Sequence, residues 1–211
     1  MSSVDQLLQI SSPPLITDAI PDGIPALERF GRLGTEHYDL LARRNGFYAF
    51  ESALHVFPHG SARGVLDLTT WNADQTWRTE YGELAKDCLF FAEDAFGFQF
   101  CLRPEGVCAF DGETGDVSPM AASIEEWASL LLVDFRVRLA HPLAHEWQLA
   151  NGPLPPGRRL APKTPFVLGG AFEIGNLYAA DQVELMRFRG QLARQIHDLP
   201  DGAQVTIKVT D

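Results

Sequence analysis

Cysteine is scarce, with three residues in 211, and Cys88, Cys101 and Cys108 form no close pair of the metal or redox type. An odd number of thiols so spaced argues against a disulfide framework and fits reduced, buried side chains in a cytoplasmic protein. No apolar run reaches the length needed to cross a bilayer. The opening "MSSVDQLLQISSPPLITDAI" lacks a basic stretch followed by a continuous apolar one, so it does not read as a secretion signal. Repeats and low-complexity tracts are also missing. So are the G-x-S-x-G elbow, the P-loop and a dinucleotide fingerprint after a strand. The expectation is a protein without catalytic residues, without a cofactor and without a bound metal.

Basic residues are the other deficit, 17 against 28 acidic ones, for a net charge of −11. Residues 1–135 carry 21 acidic and 8 basic groups, whereas residues 136–211 carry 7 and 9. So acidic a first part disfavours nucleic acid or an anionic membrane as partner. It would steer a basic protein partner, or serve solubility alone.

What is present is an ordinary globular composition, 45% hydrophobic and 21% charged, long enough for one substantial core. Residues 1–24 read as a polar lead-in broken at Pro13 and Pro14. Pro25 suits the first turn of a helix carrying Leu27, Phe30 and Leu33. Gly34 reads as an interruption, with Thr35 capping a second helix that stops at Asn45-Gly46. "FYAFESALHVFP" reads as two short strands around Glu51-Ser52. The segment holding Trp71 and Trp77 reads as helical, ending or bending at Tyr81-Gly82. Phe96, Phe98 and Phe100 alternate with Gly97 and Gln99, which marks a strand with a core face. Arg103 to Gly106 is a turn, and "VCAFD" returns as its partner strand. Ser123 and Glu126 have capping-box spacing for a helix presenting Trp127, Leu130, Leu131, Phe135 and Val137 and stopping near His141-Pro142. Residues 141–165 look like a Pro-rich linker. Residues 166–211 look like a strand, helix, strand extension, with the helix over 180–197 and a last strand in "AQVTIKV".

Three clusters carry potential chemistry. His141 and His145 have i, i+4 spacing, but Glu146 follows the wrong histidine for a zinc protease and Pro142 argues against the helix, so they read as surface residues. His55 and His59 flank a strand end without a third ligand. "DGETGD", with Asp111, Glu113 and Asp116, lacks the downstream glutamate of a calcium loop and reads as a polar turn. The last candidates are Glu93 and Asp94 in "FFAEDAFGFQF". As neighbours in an extended strand they would face opposite ways, and in a turn they would be solvated and ionised. They read as the solvated acidic tip of a hairpin.

The order of these elements resembles the SUKH superfamily, named partly for yeast cell-wall-assembly regulators. The likeness rests on "ALERFGRLGTEHYDLLARRNGF", "LFFAEDAFGFQFCL" and "GVCAFDGETGDVSPMAASIEEWASLLL", over about residues 25–133, with Asn45, Gly46, Glu93, Asp94, Gly97 and Trp127 as key positions. Gly34 stands where the family often has proline. "AEDAFGFQF" also resembles type VI secretion immunity proteins with a DUF-type C-terminal domain. The resemblance implies an α+β fold: a mixed, largely antiparallel sheet with helices packed on it, here followed by the strand-helix-strand extension. It also implies a non-catalytic immunity protein that binds a bacterial toxin, such as a basic nuclease. Glu93, Asp94, Glu113 and Asp116 are the expected partner-binding residues. The alternative is a regulatory or scaffolding module that forms a homo-oligomer through its extension.

Overall fold

Alternating large apolar residues from Phe47 to Phe110 build an antiparallel meander, which the computed structural model describes together with its helices over residues 1–61, 64–200 and 202–203. The first helices are α1 (Ser3–Ile10), α2 (Pro25–Glu28) and α3 (Gly31–Arg43). Strands β1 (Phe47–Ala49) and β2 (Leu54–Val56) follow, then two single turns, α4 (Leu68–Trp71) and α5 (Thr79–Tyr81), joined by a π-helical turn over Asp74–Arg78. Next come β3 (Leu89–Asp94), β4 (Gln99–Arg103), β5 (Gly106–Phe110) and β6 (Val117–Ala121). All pairings in the order β1-β2-β3-β4-β5-β6 are antiparallel. The chain continues through α6 (Ile124–Arg138), α7 (His141–Asn151), β7 (Arg158–Pro162), β8 (Leu177–Asp181) and α8 (Gln182–Ile196). The observed class is therefore α+β, with helices packed on an antiparallel sheet and a C-terminal strand and helix region.

Trp71, Trp77, Trp127, Phe90, Phe91 and Phe110 are fully buried and form the core, with Trp127 edge-on to both Phe91 and Phe100. The cap expected for α6 is present: Ser123 Oγ accepts the Glu126 N–H at 3.0 Å. The three thiols are free and buried in β4, β5 and the entry to β3.

Several local readings change. The lead-in holds α1, whose Ser2–Asp5 capping box starts an amphipathic turn with Val4, Leu7 and Leu8 buried. Its N-terminal N–H groups are received by Glu125 of α6, and Asp5 pairs with Arg43. Gly34 does not interrupt anything; α3 runs straight through it. A Cβ there would meet the Leu27 carbonyl oxygen at 2.0 Å, so this glycine permits α2 and α3 to touch. Gly34→Ala is expected to cost about 1–3 kcal/mol by overpacking, read by chemical denaturation. An unchanged midpoint would mean that α2 yields.

Residues 141–165 are mostly structured. Pro142 sits in the first turn of α7, where its missing N–H costs nothing, so His141 opens a helix rather than closing one. On α6, Trp127 and Leu131 are buried, whereas Val137, beyond the non-helical residue Asp134, is exposed. Phe166–Leu168, expected as strand, forms a 3-10 turn, and β7 with β8 makes a separate two-stranded sheet. The last expected strand, "AQVTIKV", lies almost wholly outside the described residues. Among the described residues, no helix is long and apolar enough to cross a membrane.

Candidate functional site

The β3–β4 hairpin does not end where the acids are. Glu93 and Asp94 are the last two residues of β3, and the turn comes after them, with Gly97 at φ +80°. Register pairs Glu93 with Gln99 on one side and with His55 of β2 on the other. Glu93 is fully buried and Asp94 is 5% exposed, so the expectation of a solvated acidic tip is overturned. Strand β7 packs against the residue that follows them: the Leu160 N–H donates to the Ala95 carbonyl at 2.7 Å.

Burial of a carboxylate requires a partner, and β7, in the segment expected to be a linker, supplies it. Arg159 Nη2 lies 2.6 Å from Glu93 Oε1. The same oxygen is 3.0 Å from His55 Nδ1, and Gln99 Nε2 donates to Glu93 Oε2 at 3.1 Å. Gln99 in turn accepts the Trp71 indole N–H at 3.0 Å. Desolvation pushes the Glu93 pKa up, but Arg159 and the His55 and Gln99 hydrogen bonds outweigh it and hold it below the usual range. Burial takes His55 down to about 4, so its imidazole is neutral and donates Nδ1–H to the carboxylate.

Glu113 is buried too. Its Oε1 faces Arg189 of α8 at 3.4 Å, its Oε2 accepts the Val167 N–H at 2.8 Å, and burial raises its pKa. Arg189 also donates to the Phe96 carbonyl at 2.6 Å. Arg159 and Arg189 are each 1% exposed. Neither was singled out from sequence; their signal was position, since Arg189 falls in the buried stripe Gln182, Leu185, Met186, Arg189, Ala193 of α8.

Asp94 differs from its neighbour. Its Oδ1 accepts the Phe96 and Phe98 N–H groups at 2.8 and 3.0 Å, which fixes the turn. Burial nevertheless raises its pKa to about 7, against the opposing pull of those bonds and of Arg189. Asp94 lines a hollow of about 440 Å³ together with Asp111, Asp116, Phe98, Val137 and Phe172. Asp116 is exposed, as are Val137 (75%) and Phe172 (61%). Of the four residues expected to bind a partner, the structure therefore brings Asp94 and Asp116 to one hollow. It turns Glu93 and Glu113 inward, onto the chain's own arginines.

A second cavity, about 610 Å³, is lined by Tyr48, His55, Arg158, Asp181 and Gln182. Its carboxylate, Asp181, caps α8 by accepting the Val183 and Glu184 N–H groups. In the turn between β1 and β2, Glu51 meets His141 and His145, a convergence the spacing of the histidines did not reveal.

No family model matches the chain, and no curated protein matches it. Among solved structures, the crystal structure of Atu4351 from Agrobacterium tumefaciens is similar, with a TM-score of 0.58 over 87% of this chain and 86% of that one. The two are 11% identical, so the likeness is one of fold.

Proposed function

We propose that this chain is a non-catalytic protein-binding module, and more narrowly an immunity protein that binds and neutralises a bacterial toxin. The observation that carries this reading is the hollow at the hairpin end. It combines the carboxylates of Asp111 and Asp116 with the guanidinium of Arg138 and the exposed apolar surface of Val137 and Phe172. A lysine or arginine of a basic partner suits the acids, and apolar atoms of the same partner suit the rim. The charge agrees: among the described residues the buried acids Glu93, Asp94 and Glu113 and the buried Arg159 and Arg189 nearly cancel, so burial takes little of the −11. The resemblance to the SUKH superfamily supports the same class, and the α+β fold it implies is one shared with Atu4351.

A raised carboxyl pKa is also a mark of general acids. In Asp94, however, Oδ1 is already engaged by two backbone N–H groups, and burial with the neighbouring Glu93 charge explains the shift, which is a structural role.

Co-expression with a toxin encoded beside this chain tests the proposal. The wild-type protein is expected to protect the cell, and Asp116→Lys combined with Phe172→Ala to lose protection while remaining folded. No protection by the wild type would overturn the function, and full protection by the double variant would overturn the site.

A further inference from the structure

Two imidazoles one helical turn apart and a carboxylate from another element converge at the mouth of the β1–β2 loop. The rings of His141 and His145 lie nearly parallel on α7, 5.7 Å apart with 15° between their planes. Glu51 Oε2 is 3.2 Å from His141 Nε2 and 2.7 Å from His145 Nδ1. The three ligand atoms all lie within 4.8 Å of one another. Ligands at about 2.0–2.1 Å around a tetrahedral zinc stand about 3.3 Å apart, so small adjustments would seat an ion between them.

The cluster is held by contacts of its own. The His141 ring stands edge-on to Phe135 at 5.0 Å, and Phe135 stacks on Phe50 at 4.9 Å. Phe50, Glu51 and Ser52 have φ of 51°, 55° and 66°, three successive left-handed residues without a glycine. Such a run is disfavoured for L-residues and persists only where surroundings fix it. Gln148 of α7 does part of this by donating to the Glu51 carbonyl at 2.9 Å. A surface ion pair would need one histidine. Two adjacent imidazolium ions would repel, whereas two neutral imidazoles and a carboxylate share one cation well.

The geometry points to a binding site for a divalent transition-metal ion, zinc foremost, held by Glu51 Oε2, His141 Nε2 and His145 Nδ1. The fourth position is open to water or to a donor from a partner. Imidazole donors favour zinc over calcium or magnesium, which take oxygen ligands. A bound ion would staple the β1–β2 loop to α7.

Cobalt(II) titration of the metal-stripped full chain tests this through its visible spectrum. Intense absorption of tetrahedral cobalt, saturating at one ion per chain and displaced by zinc, is expected. Glu51→Gln and His145→Ala should each weaken binding about tenfold or more. Both side chains are substantially exposed, so folding should survive, and far-UV circular dichroism checks it. His145→Cys adds an independent readout: a sulfur-to-cobalt charge-transfer band appears only if position 145 is a ligand. Weak octahedral absorption, or affinity unchanged by His145→Ala, would overturn the site.

Discussion

Arg159→Met is expected to destabilise the protein by about 3–5 kcal/mol, because it leaves the Glu93 carboxylate buried without its cation. Glu93 is fully buried and Arg159 is 1% exposed, so neither charge has water to fall back on. His55 and Gln99 would still donate to the carboxylate, but neutral donors do not replace a guanidinium at 2.6 Å. Glu93→Gln, the converse change, strands the arginine in the same interior and carries a similar cost. Combining the two removes both charges and keeps an acceptor for His55. The double variant is therefore expected to be more stable than the sum of the single effects implies, with a coupling energy of about 2–3 kcal/mol. Denaturant unfolding of the four proteins measures this directly, and effects that add to within about 0.5 kcal/mol would show that the pair does not act as a unit.

The second large effect depends on pH. Asp94 titrates near 3.8 when exposed and at about 7 in the fold, so between those values the unfolded chain releases a proton that the native protein keeps. Stability contributed at low pH is lost as pH rises through this window, which is the opposite of the usual salt-bridged carboxylate. Above pH 7 the buried charge costs up to about 4 kcal/mol, at about 1.4 kcal/mol for each pKa unit. Asp94→Asn keeps an oxygen to accept the Phe96 and Phe98 N–H groups while removing the charge. It is expected to be close to neutral at pH 4 and stabilising by about 2–4 kcal/mol at pH 8. Parallel stability curves for the two proteins across this range would mean that Asp94 is ionised in the fold throughout.

Local structure was largely legible in the sequence. The Asn45-Gly46 stop, the Ser123 cap and the α8 periodicity all mark elements that the structure contains, because each depends on neighbours within a few residues. The period-two phenylalanines do not mark a strand: Phe96 and Phe98 lie in the β3–β4 turn that Asp94 fixes, and only Phe100 stands in β4. The acids were misread for the converse reason. What decides whether Glu93 is solvated is Arg159, 66 positions later, and Glu113 depends in the same way on Arg189. Inward-facing arginines look like surface residues until a partner is known, and a contact at that separation leaves no local trace. Gly34 was misread similarly, since its role is set by the Leu27 carbonyl of the preceding helix rather than by its own helix propensity. The uneven charge did carry a message. A basic second part complements an acidic first part, and some of that complementarity is satisfied within the chain.

It follows that the acids left for a partner are the outward ones, with Asp116 and Asp111 at the rim of the hollow and Phe172 beside them. An exposed aromatic side chain can carry much of the affinity of an interface, and truncating such an anchor costs about 2 kcal/mol or more. For the proposed function, the most direct test is the dissociation constant of a complex with the toxin encoded beside this chain, measured by calorimetry for the wild type and for Phe172→Ala. A roughly 30-fold weaker complex, corresponding to about 2 kcal/mol, is expected for the variant. An unchanged dissociation constant would contradict the assignment of this hollow as the binding surface.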